Sequence, residues 1–100
     1  MTLTATSKNG ITIRLPEERW EHILTGHGEL HDMQHDVLDA ITEPDRVLAG
    51  GAGELLAVRE IEAGKWLVVV YRELDEDGFI ITALLTRRTE WLEKREQLWP

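Results

Sequence analysis

Two apolar runs joined by a short polar stretch, Trp66 to Tyr71 and Phe79 to Leu85, constrain this chain more than any other feature. The first is β-branched and aromatic with no polar break, which suits a strand covered on both faces rather than an alternating surface strand. Asp75-Glu76-Asp77-Gly78 reads as the turn, with Gly78 free to take φ > 0. The return run is apolar except at Thr82. A lone hydroxyl in a dry strand points to a site, against the ordinary case of a β-former whose hydroxyl is bonded locally.

The other elements follow from period and punctuation. Residues 1–10 are small and polar without a period and read as a flexible tail ending in the turn pair Asn9-Gly10. Residues 11–100 read as a single domain. Ile11 to Leu15 alternates as a short strand, and Pro16, Glu17 and Glu18 open a helix. Trp20, Ile23 and Leu24 form its core stripe, and the i+7 position of that stripe is His27. Gly26 and Gly28 flank His27, so the helix ends there with the imidazole at the edge of the core. A second helix is expected over 29–42, with Leu30, Met33, Val37 and Ile41 inside, Asp32, Asp36, Asp39 and Glu43 outside, and Pro44 as its stop.

Asp45 to Ala49 and Leu55 to Ile61 read as strands, with Glu62-Ala63-Gly64-Lys65 a hairpin loop into the central pair. A last helix begins at Thr89, anchored by Trp91, Leu92 and Leu98. The pattern predicts an α+β fold: helices on one face of a small antiparallel sheet, plus a C-terminal helix.

Composition narrows the function. The 100 residues contain no cysteine, which excludes disulfides and thiolate metal sites. There is no signal-peptide pattern and no apolar run that could span a bilayer, so a cytoplasmic protein with no membrane contact is expected. The formal net charge is −8, from 11 basic and 19 acidic side chains, which argues against broad phosphate neutralisation. Residues 1–45 carry 3 basic and 9 acidic side chains and the remainder 8 and 10. A local positive patch can form only on the strands and the last helix.

One constellation suits chemistry. Arg59 falls on the strand face of Leu55, Ala57 and Ile61, where a charge needs a partner. Strict alternation puts Thr82 with Ile80 and Leu84. If His27 approaches the same hollow, the three groups fit phosphodiester cleavage without metal or other cofactor: an imidazole to shuttle the proton, a guanidinium for the phosphorane charge, a hydroxyl for a phosphate oxygen. The plainer alternative pairs Arg59 with a surface acid and leaves His27 as a helix cap. Arg87, Arg88, Lys94 and Arg95, with Arg72 one strand away, form a second cationic group that could rim a phosphate site, although interleaved glutamates favour surface pairing. His31 and His35 stand one helical turn apart but lack a third ligand, so no native metal site is expected.

Several stretches carry a family resemblance: Arg19-Trp20-Glu21-His22-Ile23, His27-Gly28-Glu29, Glu43-Pro44-Asp45-Arg46-Val47, Leu56-Ala57-Val58-Arg59, Lys65 to Val70, Phe79-Ile80-Ile81-Thr82-Ala83 and Thr86-Arg87. Together they span about residues 11–100. In these motifs the chain resembles the phage-associated branch of the barnase/EndoU/colicin/RelE-like nuclease superfamily. The resemblance implies a metal-independent ribonuclease, a toxin or phage-linked effector, with RNA as substrate and an antitoxin or other protein as partner. It implies His27, His22, Arg59 and Thr82 as catalytic residues, and Arg19, Lys65, Arg72 and Arg87 join them as substrate-binding candidates. Gly28 stands where the family pattern has proline. An inactive member that binds protein through its acidic helices is the alternative.

Overall fold

The computed structural model of the protein describes residues 2–100. Its elements are β1 (Leu3–Thr6), β2 (Thr12–Leu15), α1 (Glu17–Gly26), a 3-10 turn (Gly28–Leu30), α2 (Gln34–Thr42), β3 (Arg46–Ala49), β4 (Leu55–Glu62), β5 (Lys65–Glu73), β6 (Asp77–Thr86), α3 (Glu90–Glu93) and β7 (Gln97–Trp99). The strands form one sheet in the order β1-β2-β6-β5-β4-β3-β7. The class is α+β as the pattern predicts, but the sheet is neither small nor purely antiparallel: it has seven strands, and β2 runs parallel to β6.

The doubly apolar run sits at the middle of that sheet. Leu67, Val69 and Tyr71 of β5 face a core built with Trp20, Ile23, Val37 and Ile41 from α1 and α2. Val68 faces the other way, into a second core with Leu48, Leu56, Val58 and Leu92. Helices therefore do not lie on one face alone. A strand without polar positions needs cover on both sides, and α3 supplies it through Leu92, which is fully buried. Burial, and after it the Glu73 carboxylate, push the Tyr71 phenol above its ordinary range, so it stays neutral in the core.

Three local expectations need correction. Of the stretch 1–10, expected as a flexible tail, position 1 lies outside the described residues and the rest is ordered into the fold: Leu3–Thr6 pairs with β2, and the Asn9-Gly10 turn closes that hairpin, with Gly10 at φ 79°. Ala5 packs against the helix-side core, which gives this polar strand its apolar anchor. The second helix is interrupted: Leu30 is buried from the 3-10 turn, and α2 starts only at Gln34. The last helix is a single turn, after which the chain pairs with β3 as β7, leaving Leu98 48% exposed rather than anchored.

The sheet curls around α2, which packs on β1, β4 and β5. Lys8, beyond β1 at one edge, places its ammonium 4.7 Å from the ring centroid of Trp99 in β7 at the other edge. The same ammonium lies 3.7 Å from Glu43 at the end of α2. Ser7 is buried and its hydroxyl donates to Glu73 at the end of β5.

Gly78 serves a purpose other than a positive φ. It lies inside β6, opposite Glu73, and a Cβ there would collide with the Arg72 carbonyl oxygen and lie 2.8 Å from Ile13 Cδ1. The backbone approach at the β2–β6–β5 junction requires glycine. Gly78→Ala is expected to lower stability by about 1–3 kcal/mol, read as a lower urea midpoint at unchanged slope; an unchanged midpoint would contradict the close approach.

Candidate functional site

Arg59, His27 and Thr82 do not meet. Arg59 sits on the helix side of β4, opposite Leu67 of β5. Its Nη1 donates to the carbonyls of Asp39 at 3.3 Å and Glu43 at 3.2 Å, at the C-terminal end of α2. The Asp39 carbonyl also accepts the Glu43 N–H at 2.7 Å, and both carbonyls lie at the negative end of the helix dipole, so a guanidinium is well matched to them. Its partner here is the helix end rather than a surface acid.

Thr82 lies on the opposite face of the sheet. The register between β5 and β6 shifts between Val70 and Tyr71: Tyr71 stands opposite Ile80, but Val70 stands opposite Thr82, so Ile81 is an extra residue in β6. Ile80 keeps its place in the helix-side core, while Thr82 is turned to the side of Val70 and Leu84, which border the second core. Strict alternation had grouped Thr82 with both Ile80 and Leu84; the bulge breaks that set. Arg19 Nη1 reaches the Ile81 carbonyl at 3.4 Å, which holds α1 to the bulge.

His27 leaves the helical period because α1 ends at Gly26. It has φ −137° and ψ 64°, and its N–H donates to the Ile23 carbonyl at 2.8 Å. Its side chain is half-buried, and Nδ1 lies 3.7 Å from Glu29 Oε2. Glu29 in turn lines a cleft of about 230 Å³ with Lys65, Leu85, Thr86 and Arg87, at the end of the sheet where β5 begins and β6 finishes. Two of the predicted site residues, Lys65 and Arg87, thus line one strand-end cleft, and His27 adjoins it through Glu29. Arg87 also approaches Glu62 at 3.4 Å. Glu29 is the member with no role expected from its position, although Gly26 and Gly28 on either side of His27 signal the non-helical turn that brings the two side chains within 3.7 Å.

The remaining candidates are separate. His22 is exposed and shares a shallow groove with Pro16, Glu18 and Arg19 on α1. Arg72 Nη2 donates to the Ala52 carbonyl at 3.0 Å and braces the glycine-rich loop before β4. In that loop the Ala52 N–H, before the Arg72 and Arg95 charges, lowers the Glu54 pKa. Arg46 does the same for Glu93 through a 2.9 Å hydrogen bond. Both carboxylates favour the folded loops while ionised, and lose that contribution as pH falls through their lowered pKa values. His31 contacts Asp32 at 2.9 Å, and no group of three or more His, Asp or Glu suited to a metal ion occurs among the described residues. No helix of the described residues is long and apolar enough to cross a membrane.

Fold and site together define an α+β domain with a curled mixed sheet and, at one strand end, a cleft lined by Glu29, Lys65 and Arg87. Comparison with family models, with curated proteins and with solved structures finds no match.

Because Arg59 is committed to α2, Arg59→Met should cost stability, by about 1–2 kcal/mol for the lost charged hydrogen bonds. Thr82→Val should leave stability within about 0.5 kcal/mol. Thermal unfolding of the two variants checks this, and the reverse order would contradict the assignment.

Proposed function

We propose that the protein is a metal-independent ribonuclease that works at the strand-end cleft. The observation supporting this most is that Glu29, whose carboxylate lies 3.7 Å from His27 Nδ1, lines one opening with two cations, Lys65 and Arg87. Cleavage by 2′-hydroxyl attack needs those groups. The Glu29 carboxylate takes the 2′-hydroxyl proton as O2′ bonds to phosphorus, and protonated His27 delivers a proton to the departing 5′ oxygen. Lys65 and Arg87 balance the charge that builds on the non-bridging oxygens. The Thr86 hydroxyl is already bonded to the Arg88 backbone in both directions at 3.1 Å, so it shapes the turn rather than holding phosphate. Arg59 and Thr82 have no part in this arrangement.

A second reading has its own support. Asp36 and Asp39 are exposed on α2 and make no ion pair among the described residues. That face suits a basic protein partner, such as an antitoxin, whether or not the cleft cuts RNA.

Incubation with total RNA in EDTA tests the cleavage reading. Wild-type protein should cut, and His27→Ala and Glu29→Gln should each slow cutting by about 100-fold or more, while Thr82→Val cuts at the wild-type rate. Absence of cleavage, or cleavage indifferent to His27→Ala, ends the proposal.

A further inference from the structure

A larger opening than the strand-end cleft lies elsewhere. A cleft of about 630 Å³ is lined by Arg88, Glu90, Trp91, Lys94 and Arg95 around α3. Trp91 packs against the second core from one side and lines the cleft with what remains uncovered. Arg95 is fixed by a hydrogen bond from Nη1 to the Ala49 carbonyl at 3.3 Å. Of the nearby acids, Glu93 is answered by Arg46 at 2.9 Å, leaving Glu90 as the one carboxylate in the lining against three cations. In a chain of net charge −8, that is a local inversion of sign.

This cleft and the strand-end cleft are neighbours in the chain. Arg87 lines one and Arg88 the other. Thr86 sets the turn between them, its hydroxyl accepting from the Arg88 N–H and donating to the Arg88 carbonyl.

We infer that the Trp91 cleft is a subsite for single-stranded RNA, in which one base stacks on the indole while Arg88, Lys94 and Arg95 hold the flanking phosphates. The inference rests on the ribonuclease reading for the direction of the strand, which continues from the strand-end cleft over Arg87 and Arg88. An aromatic platform set among cations is the arrangement that binds unpaired nucleotides, since every base offers a π-face and every linkage an anionic oxygen. An acidic peptide would satisfy the cations but leave the indole without a stacking partner. The site also accounts for an acidic protein engaging a polyanion: four cations, Arg87, Arg88, Lys94 and Arg95, stand within nine residues of one another.

Fluorescence anisotropy with a labelled single-stranded RNA of about ten nucleotides tests the subsite, in a His27→Ala background so that the strand stays intact. Trp91→Leu, which keeps the apolar packing but removes the stacking face, should weaken binding by about tenfold or more. Lys94→Glu and Arg88→Glu, at exposed positions where folding is not at stake, should weaken it similarly and flatten its salt dependence. Binding unchanged by Trp91→Leu, or equal displacement of RNA by a polyglutamate peptide, overturns the stacking subsite even if wild-type protein cuts RNA. Failure of the His27→Ala protein to bind RNA overturns it as well. Trp91-dependent binding by a wild-type protein that does not cut supports the subsite and removes the ribonuclease assignment alone.

Discussion

Everything in this fold answers to β5, which has no polar face to offer water. Leu67, Val68 and Val69 are all fully buried, so the sheet must be covered above and below. A chain of 100 residues meets that demand economically. Two helices cover one side, a single helical turn carrying Leu92 covers the other, and curling brings the sheet's edges to within the reach of Lys8 and Trp99. The polar edge strand β1 and the short β7 then belong to the packing scheme and are not ornaments of the termini.

A sheet filled on both faces also limits where chemistry can occur. Two side chains on opposite faces are separated by the sheet itself, and Arg59 and Thr82 are such a pair. Arg59 is held by the α2 carbonyls, where its removal would uncover the negative end of a helix. Groups from different elements can converge only where strands stop. The strand-end cleft is such a place, and the Trp91 cleft follows it along the chain, with Arg87 and Arg88 between. The overall acidity and a local basic group are then compatible, since Arg87, Arg88, Lys94 and Arg95 stand close together in the chain.

Much of this was legible from residues alone. The run Trp66 to Tyr71 announced a strand covered on both faces, Pro16 and Pro44 marked helix limits, and the concentration of cations in the later strands and last helix located the positive ridge. The bulge at Ile81 left no trace, because Ile80, Ile81 and Thr82 are all β-formers and no glycine marks the extra residue. That single insertion moved Thr82 away from Arg59. The end of α1 at His27 was legible from the flanking glycines, but the contact of its imidazole with Glu29 was not. Arg59 was correctly read as needing a partner, but backbone carbonyls of a helix terminus carry no signature in sequence.

The central claim is that the working surface is the strand end, running from His27 and Glu29 over Lys65 to Arg87 and Arg88. Amide chemical-shift mapping with a 2′-O-methyl RNA oligonucleotide, which lacks the free hydroxyl needed for self-cleavage, tests it most directly. The account predicts shifts concentrated at His27 to Glu29, Lys65 and Thr86 to Lys94. Shifts centred instead on Arg59 and Thr82, or on the acidic side of α2 from Asp36 to Glu43, would contradict it.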